Sequence, residues 1–255
     1  MSLNDRQNKI IDELKLRGQL EVEQLATKFA VSSQTIRKDI NQLCELGLAR
    51  RLHGGVDLPP NTRNISFHSR QLINEPAKQQ IARQAAEQIP DGASVFLGIG
   101  TTVAHVARAL LEHKSLKVMT NNLDVAAVFC EQPEIDVLVA GGQLRHSDRD
   151  LVGEAAIRFF NQFHVDFGII GSGGLDQEAG LLDFDPKEAE VSRAILANAR
   201  KTILLADQSK WRRRAMVKVE PFNAIDLMIT DSIPDASARE ILARSDVQTI
   251  EVFRT

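Results

Sequence analysis

The chain has little of what marks membrane, secreted or metal-binding proteins. Only two cysteines occur in 255 residues, which gives neither a disulfide framework nor a CxxC metal spacing. Cys44 and Cys130 each lie in a stretch of apolar periodicity, so we expect buried thiols and no redox pair. The longest apolar runs, such as "SVFLGIG" and "KTILLAD", are far shorter than the roughly 18–20 residues of a membrane span. The first residues are polar and contain no signal-peptide stretch, so we expect a cytoplasmic protein with no membrane partner.

The chain also lacks a strong excess of either charge. Its formal net charge is −3, with nine Lys/Arg and eight Asp/Glu in residues 1–58 and 22 and 26 in the remainder. There is no polybasic tail. Any contact with nucleic acid must therefore come from individually placed side chains.

Two patterns of periodicity divide the chain into domains. Residues 1–58 predict three short helices and a hairpin, and residues 59–74, with two prolines and no clear period, are typical of a linker. From 75 to 255, helices alternate with short apolar strands. This alternation predicts an α/β domain with a mostly parallel sheet covered on both faces.

The first domain contains a helix-turn-helix pattern. A short helix from Val22 is followed by a tight turn at "AVSS" and by a third helix with Ile36, Ile40 and Leu43 on its buried stripe. The opposite face is polar. The second helix of such a unit docks in the major groove of DNA, where amides pair with adenine and Arg or Lys with guanine.

The candidate DNA contacts lie at the start and on the outer face of this third helix and in the hairpin after it. The hairpin side chains would hold phosphates beside the groove. A three-helix protein-interaction module could have the same polar face exposed to solvent. The helix cap, the polar face and the basic hairpin agree with one another, however, and together they favour binding of double-stranded DNA. The candidates are Ser32, Ser33, Gln34, Thr35, Arg37, Lys38, Asn41, Arg50, Arg51 and His53.

Small and polar residues follow five strands of the second domain. In open parallel sheets, ligands bind outside the carboxyl ends of the strands. One end, "GIGTT", opens a helix whose N-terminus suits a phosphate, although no GK[ST] follows as in a Walker loop. Another strand ends in "GSGG". The remaining candidates at these ends are Gly98, Gly100, Thr101, Thr102, Asn121, Asn122, Gly141, Gly142, Arg145, Asp207 and Lys210.

These residue types indicate the class of ligand. Lys210 can neutralise a phosphate, and Asp207 and the two asparagines can bind hydroxyls. The implied ligand is small, anionic and polyhydroxylated. We expect no protein-bound cofactor and no metal, since His53 has no partner at metal-ligand spacing.

An isomerase acting on such a ligand is the first alternative. It would need a carboxylate base, and Asp183, Asp185, Glu188 and Asp207 are of the right type but form no recognisable pair. Asp183 and Asp185, just before Pro186, are typical of a helix start. The DNA-binding pattern on the same chain favours a sensor over an enzyme. A purely partner-binding protein is a further alternative, and it predicts neither DNA binding nor ligand binding.

The segment "VSSQTIRKDINQLCELGLARRLHGG" resembles the N-terminal signature of the DeoR family of bacterial transcription regulators. The blocks "AEQIPDG", "IGTT", "TNNLDVA", "AGGQLR", "GEA", "QFHVDFGIIG", "LLDFD", "DQSKW" and "AMV" follow in the family's order, so the resemblance covers the whole chain. It implies a winged helix-turn-helix domain and a sensor domain resembling sugar-phosphate isomerases. It also implies a homo-oligomer, a dimer or tetramer, that represses transcription at operator DNA.

The resemblance also implies effector contacts. It assigns them to most of the strand-end candidates and adds Glu154 and Glu188. The effector it implies is glycerol-3-phosphate, with another sugar phosphate as the alternative. Relatives usually have Lys where this chain has Ser192, and Lys187 lies about 140° away around the helix. The alternative is that position 192 is only a surface position.

Overall fold

The computed structural model of the chain describes residues 3–59, 64 and 66–252, and the side chains of all of these except Lys15, Leu16 and His68. The chain forms two compact units that divide between Ile73 and Asn74. Each unit has a hydrophobic core of its own. Within the described residues, no helix is both long enough and apolar enough to cross a bilayer.

The first unit is a winged helix-turn-helix, as the sequence predicts. Strand β3 lies between β1 and β2 and pairs antiparallel with both. The elements in chain order are α1 (Asp5–Arg17), β1 (Leu20–Glu21), α2 (Val22–Phe29), α3 (Ser33–Glu45), β2 (Arg50–Leu52), β3 (Gly55–Asp57) and α4 (Phe67–Leu72).

Local chemistry fixes both ends of α1. The Asn4 side chain accepts a hydrogen bond from the Gln7 amide at 2.9 Å, and the Gln7 side chain accepts one from the Asn4 amide at 3.0 Å. This capping box satisfies two amides that the helix itself cannot. Gly18 ends α1 with φ +74°, which glycine adopts without strain. The apolar stripes of α1 to α3 meet in a core that contains Ile10, Leu14, Leu25, Ile36, Ile40 and Leu43.

A helix lies in the segment that the sequence predicts to be a linker. Helix α4 begins at a cap, where the Ser66 hydroxyl accepts a hydrogen bond from the Ser69 amide at 3.2 Å. Phe67 is buried, and Ile73 packs against the core of the first unit. The linker prediction is therefore wrong for this stretch, because a six-residue helix is too short to show a period. Residues 60–63 and 65 of the predicted linker lie outside the described residues.

The second unit alternates helices and strands. The elements in chain order are α5 (Glu75–Ala86), β4 (Ser94–Leu97), α6 (Thr101–Ala109), β5 (Lys117–Thr120), α7 (Leu123–Phe129), β6 (Asp136–Val139), β7 (Gln143–Arg145), β8 (Asp150–Val152), α8 (Glu154–Phe160), β9 (Val165–Ile170), β10 (Gly174–Asp176), β11 (Gly180–Asp183), α9 (Pro186–Ala197), β12 (Ala199–Leu205), β13 (Val217–Lys218), β14 (Leu227–Thr230), α10 (Ala236–Arg244) and β15 (Gln248–Glu251). Short 3-10 helices cover Gln208–Arg212 and Phe222–Ala224.

Seven strands form one sheet in the order β6-β5-β4-β9-β12-β14-β15, and every neighbouring pair is parallel. Alternate strand residues point to opposite faces. Leu97 and Ile169 pack with α5, α6 and α7, whereas Phe96 and Ile170 pack with α8, α9 and α10. The predicted parallel sheet with two covered faces is confirmed. Strand order reverses between β4 and β9, which makes the carboxyl ends of these two strands the switch point of the sheet.

Two small antiparallel pieces, which the sequence analysis did not predict, lie beside the main sheet. Strands β7 and β8 form a hairpin, and β10, β11 and β13 form a three-stranded sheet. Their strands have two to four residues, too few to show an alternating pattern. The Leu151 amide donates to the Asn121 carbonyl at 2.9 Å, so the β7–β8 hairpin covers the end of β5.

The two cysteines are more exposed than their periodicity indicates. Cys44 is half-buried and Cys130 is exposed. Cys130 directly follows α7, and its thiol donates to the Ala126 carbonyl at 3.3 Å. It lies outside the buried stripe that Val125 and Phe129 form. The expectation of buried thiols is therefore wrong.

Candidate functional site

The turn before α3 is held by side-chain hydrogen bonds. Ala30 ends α2 with φ +52°, and the Ser32 hydroxyl accepts a hydrogen bond from the Thr35 amide at 3.2 Å. The Ser33 hydroxyl donates to a Glu23 carboxylate oxygen at 2.7 Å. The sequence offers Ser32 and Ser33 as candidates for the N-cap, and the structure uses Ser32. The hydroxyl side chains of Ser32 and Ser33 therefore fix where the helix starts, whatever else they contact.

The outer face of α3 is polar and exposed, as the helical period predicts. Ile36, Ile40 and Leu43 are fully buried. The exposed face consists of Gln34, Arg37, Lys38 and Asn41. These side chains combine amides with cations, which is the chemistry that reads adenine and guanine edges in a major groove.

The hairpin of β2 and β3 is joined to this face. Arg51 donates to the Asn41 side-chain oxygen at 2.9 Å, and Arg50 donates to Asp57 across the hairpin at 2.8 Å. His53 is exposed at the turn. The hairpin is therefore fixed against the outer face of α3. Arg50 shares its charge with Asp57, so it presents less net positive charge than Arg37 does.

Sequence reasoning missed the contacts that orient α3. Arg6 on α1 donates to Asp39 at 2.6 Å, and Gln7 donates to Gln42 at 2.7 Å. Asp39 and Gln7 are buried. The hydrogen bond to Asp39 raises the pKa of Arg6 above its ordinary value. The signal was available, since Asp39 falls among the apolar residues of the buried stripe.

In the second unit, the polar strand ends meet at the switch point. Gly98 leaves β4 so close to α9 that a Cβ there would lie 3.2 Å from the Ile195 Cδ1 atom. Gly100 has φ +121°, which a side chain would strain, and α6 begins at the next residue. Thr101 and Thr102 are buried. These residues place the N-terminus of α6 at the carboxyl end of β4, where ligands bind in open parallel sheets.

The two asparagines after β5, Asn121 and Asn122, have different roles. Asn122 caps α7 by accepting from the Asp124 amide at 2.9 Å, and it donates to the Gly98 carbonyl at 3.3 Å. Asn121 donates to the Leu151 carbonyl at 2.8 Å. The Asn121 side-chain oxygen is buried and has no hydrogen-bond partner among the described residues. Asn122 is therefore structural, whereas Asn121 has an acceptor to offer a ligand.

Gly142 serves the backbone of the hairpin. A Cβ on Gly142 would lie 2.6 Å from the Val152 carbonyl oxygen, and its φ is +150°. A Cβ on Gly141 would have no atom within 4 Å. The requirement for glycine at 142 is thus explained by close packing of β7 against β8.

Arg145 is held in a cluster of carboxylates. It donates to Asp150 at 2.7 Å, to Glu188 at 3.0 Å and to Asp185 at 3.1 Å, and Asp148 lies 3.7 Å away. The arginine side chain is 13% exposed and that of Asp150 is fully buried. Burial opposes the charge, but the hydrogen bond to Asp150 and the surrounding carboxylates raise the pKa of Arg145. Sequence analysis predicted effector contact for Arg145 and Glu188, and the structure brings them together as an ion pair.

Glu154 lies apart from this cluster. It begins α8, its side chain is 80% exposed, and it pairs with Arg158 one turn later at 2.5 Å. The buried contacts described for Arg145 and Asp207 do not include it. Effector contact by Glu154 stays a prediction.

Asp207 forms a second charged group after β12. Its carboxylate accepts hydrogen bonds from the Asn74 side chain and from the Ser209 amide, both at 3.0 Å. Burial opposes ionisation, but nearby Lys210 and Lys78 and the hydrogen bonds from Ser209 hold the pKa of Asp207 below its usual range. The structure brings Asp207 and Lys210 together, and effector contact by these two residues stays a prediction.

Sequence reasoning missed Lys78. This lysine lies in the first turn of α5 and is only 4% exposed. It is close enough to Asp207 and to His105 on α6 to affect the pKa of each. A signal was present, because Lys78 falls on the same helical face as Ile81 and Ala82.

Ser192 is not a surface residue. It is 6% exposed and lies one helical turn after Glu188 on α9. Lys187 is exposed and donates to the Gln143 side chain at 2.8 Å. The alternative that position 192 is an ordinary surface position is therefore wrong.

His105 predicts an acid-dependent loss of stability. Burial, with the charges of Arg108 and Lys78, lowers its pKa from 6.5 to about 4. Below pH 6.5 the unfolded chain therefore takes up a proton that the folded chain does not. We expect the free energy of unfolding to fall between pH 6.5 and 4, by up to about 3 kcal/mol. Urea unfolding at stepped pH measures this loss. His105→Gln should flatten that part of the profile, and an unchanged slope would contradict the assignment.

Two family matches cover both units. Residues 6–62 match the DeoR-like helix-turn-helix domain, and residues 73–232 match the DeoR C-terminal sensor domain. The chain belongs to the DeoR family. It is a transcriptional repressor of the DeoR type, and its helix-turn-helix and sensor domains correspond to the two units described above.

Curated relatives match over nearly the whole chain. The glycerol-3-phosphate regulon repressor of Escherichia coli (strain K12) is 41% identical over 97% of this chain and 98% of its own length. The transcriptional repressor CsqR of the same organism is 35% identical over 97% and 95%. Among solved structures, the probable sor operon regulator from Shigella flexneri has a TM-score of 0.46 at 11% identity, covering 66% of this chain and 88% of that chain. Ribose 5-phosphate isomerase A from Methanocaldococcus jannaschii has a TM-score of 0.40 at 19% identity, covering 54% and 55%.

The acidic residues at the start of α9 have structural partners. The Asp185 side chain caps the helix by accepting from the Lys187 amide at 2.8 Å, and Asp183 accepts from the Phe184 amide at 2.7 Å. The interpretation of Asp185 as helix-start chemistry is confirmed.

In the part of the chain that the structure describes, no three His, Cys, Asp or Glu side chains are arranged to hold a metal ion.

Proposed function

We propose that the protein binds operator DNA through the outer face of α3 and the β2–β3 hairpin, and that a phosphorylated metabolite bound in the second unit relieves this binding. The observation that carries the proposal is at the carboxyl ends of the strands: α6 begins directly after β4, and the buried Asn121 oxygen after β5 has no hydrogen-bond partner among the described residues. Lys210 follows β12 at the same edge of the sheet. This edge offers a binding position for a phosphate and for hydroxyls.

Glycerol-3-phosphate is the proposed effector. Its support is the name of the relative that is 41% identical over nearly the full length. A different sugar phosphate is the alternative, and the buried position of Ser192 beside Glu188 is the feature that favours it. A lysine at position 192 would add a positive charge beside Glu188. With serine there, the site has one cation fewer with which to bind an anionic effector.

The proposed repressor works as a symmetric homo-oligomer, a dimer or tetramer. Helix-turn-helix dimers bind half-sites about one helical turn apart, so the operator should be close to palindromic. The effector must bind the DNA-incompetent arrangement more tightly than the DNA-bound one, because equal affinity for both would shift nothing.

The proposal excludes turnover of the effector. Asp185 and Asp183 accept hydrogen bonds at the start of α9, Glu188 pairs with Arg145, and Asp207 accepts from Asn74 and Ser209, so each candidate base already has a protein partner. Incubation of the protein with pentose and hexose phosphates should give no product. Measurable turnover would replace the sensor with an isomerase fused to a DNA-binding domain.

The first test is a thermal-shift titration of the full chain with glycerol-3-phosphate and with pentose, hexose and deoxy-sugar phosphates. A selective and saturable rise in Tm with glycerol-3-phosphate supports the proposed effector. A rise with another phosphate alone keeps the mechanism and replaces the effector. A purely partner-binding protein would show no rise with any of them and no salt-dependent DNA binding.

Lys210→Ala should weaken effector binding without weakening DNA binding. Removing this cation should leave operator affinity unchanged and raise the effector concentration needed to release DNA by about tenfold or more. Fluorescence anisotropy of a labelled operator, titrated with effector, measures both quantities. Lys117→Ala is the matched control, since Lys117 is exposed at the opposite end of the sheet. Unchanged release by Lys210→Ala would mean that the phosphate does not bind there.

A further inference from the structure

The β2–β3 hairpin carries two adjacent arginines, Arg50 and Arg51, on opposite faces. In an antiparallel pair, residues that lie opposite each other share a face, and neighbours along a strand alternate. Arg50 lies opposite Asp57 and bonds to it at 2.8 Å. Arg51 lies opposite Val56, which is fully buried in the core of the first unit. The alternation therefore directs Arg51 toward the helices of that core and Arg50 away from them.

Arg51 approaches α3 at two positions that are one turn apart. Its Nη1 atom donates a hydrogen bond to the Asn41 Oδ1 atom at 2.9 Å. Burial raises the pKa of the Cys44 thiol, three residues later on the helix, and the charge of Arg51 partly opposes that rise. Asn41 lies one turn after Arg37, so both are on the exposed outer face of α3. The guanidinium therefore lies beside the face that carries the candidate DNA contacts.

This contact fixes the orientation of the Asn41 amide. The oxygen and the nitrogen of a free asparagine side chain exchange places when the amide turns by about 180°, and one is an acceptor while the other is a donor. A guanidinium has only donors, so the atom that faces Arg51 is the amide oxygen. The Nδ2 group, which can donate two hydrogen bonds, is consequently on the side of the amide away from Arg51.

The orientation of an amide decides which base edge it can pair with. Bidentate pairing with adenine requires the amide oxygen to accept from the N6 amino group while the nitrogen donates to N7. In Asn41 the oxygen already accepts from a cation, so an adenine amino group at that oxygen would lie beside a second, charged donor. Guanine instead presents two acceptors, O6 and N7, in the major groove. The donors of Asn41 and Arg51 match that edge.

We propose that Arg51 determines base specificity through Asn41. It holds the amide oxygen, so that the Asn41 Nδ2 group and the guanidinium form one donor surface that selects guanine over adenine. Arg51 is thus a positioning residue for the base contact of Asn41, whereas the sequence alone predicts only a phosphate contact for it. This inference rests on the proposed function, because it describes the same DNA-binding surface.

Base substitution in a bound duplex tests the selection. Duplexes that the full chain selects from a random library supply the binding site, and the base pair that Asn41 reads is the one whose discrimination disappears in Asn41→Ala. Fluorescence anisotropy at one salt concentration then compares all four base pairs at that position, changed together in both half-sites. We expect a G·C pair in one orientation to bind at least about fivefold more tightly than an A·T pair in either orientation.

The other outcomes of this comparison separate the inference from the proposed function. Equal or tighter binding of an A·T pair overturns the inference and leaves the proposed DNA binding intact. An Asn41→Ala variant that keeps every base preference of the parent protein does the same. If the parent protein selects no duplex from the library, both the inference and the proposed DNA binding are wrong.

Three variants test the role of Arg51. Arg51→Met removes the donors and keeps a long side chain, so the Asn41 amide can turn over. It should narrow the ratio between guanine and adenine by about fivefold or more and leave the preferences at other positions unchanged. Arg50→Met is the matched control on the other face of the hairpin, and it should weaken all four duplexes by the same factor. Asn41→Asp keeps an acceptor for Arg51 and loses the donor, so it should abolish the preference for guanine without disturbing the hairpin.

The base preference distinguishes positioning from a merely structural role. An equal loss on all four duplexes in Arg51→Met, as in Arg50→Met, would show that Arg51 only holds a phosphate or the fold of the hairpin, and it overturns the inference. A guanine preference that survives in Asn41→Asp also overturns it, because that variant retains the partner of Arg51 and lacks the donor.

Discussion

Arg145→Met should destabilise the second unit by about 3–5 kcal/mol, because it leaves buried carboxylates without their cation. Asp150, Glu188 and Asp148 have side chains that are 0%, 7% and 9% exposed. Arg145 lies within 3.7 Å of all three carboxylates and opposes their mutual repulsion. For a domain of this size, the loss corresponds to a fall in Tm of about 10 °C.

The chain contains a suitable probe for this measurement. Its single tryptophan, Trp211, lies in the second unit and stacks on Phe222 with ring centroids 5.4 Å apart. Tryptophan fluorescence during urea unfolding therefore follows that unit alone. Lowering the pH toward 4 should reduce the difference from the parent protein, since protonation removes the unpaired charges.

Arg149→Met is the matched control. Arg149 is 57% exposed and pairs with Asp124 at 3.0 Å, and exposed pairs of this kind contribute at most about 1 kcal/mol. If the two methionine variants lose the same stability, the carboxylate cluster does not depend on Arg145. Adding Glu188→Gln to Arg145→Met should restore part of the stability, because it removes one of the unpaired charges.

Arg37→Ala should weaken specific operator binding by about 1–3 kcal/mol, or about 5- to 150-fold in Kd. Arg37 lies on the exposed face of α3, opposite the buried Ile36 and Ile40, where a guanidinium can pair with the edge of a guanine. The loss should be concentrated at one base position in each half-site of the operator, because each Arg37 side chain reads one base pair.

Fluorescence anisotropy with the operator and with a random duplex at one salt concentration measures this effect. Equal losses on both duplexes would show that Arg37 holds a phosphate. Lys9→Ala is the control, since Lys9 is an exposed cation on α1. An affinity unchanged by Arg37→Ala would remove this residue from the interface.

Helix α3 was predictable from the sequence because the residues that specify it are local. Ser32 is a good cap, and Ile36, Ile40 and Leu43 recur at a helical spacing, so the start of α3 and its outer face followed without any distant contact. The parallel sheet was predictable for a related reason, since each buried strand is a short apolar run between helical patterns.

The full set of contacts of Arg145 was not predictable, because two of its four carboxylate partners are distant in sequence. Asp185 and Glu188 lie 40 and 43 positions away. Its place after a strand end suggested contact with the effector, and only the packing of the β7–β8 hairpin against α9 adds the carboxylates of Asp185 and Glu188. Lys78 was missed in the same way, since its carboxylate partner Asp207 comes from the other half of the unit.

The sequence by itself determined the two-unit organisation, the family, the face of α3 that is exposed and the strand ends that carry polar residues. Each of these depends on caps, on periods of 2 or 3.6 residues, or on motifs within a short window. Only the tertiary structure decided which of these polar groups bond to one another. It also decided which of them, like the Asn121 oxygen, lack a protein partner among the described residues. The reason is physical: hydrogen bonds and ion pairs between distant segments depend on how helices and hairpins pack across the sheet, and no local pattern specifies that packing.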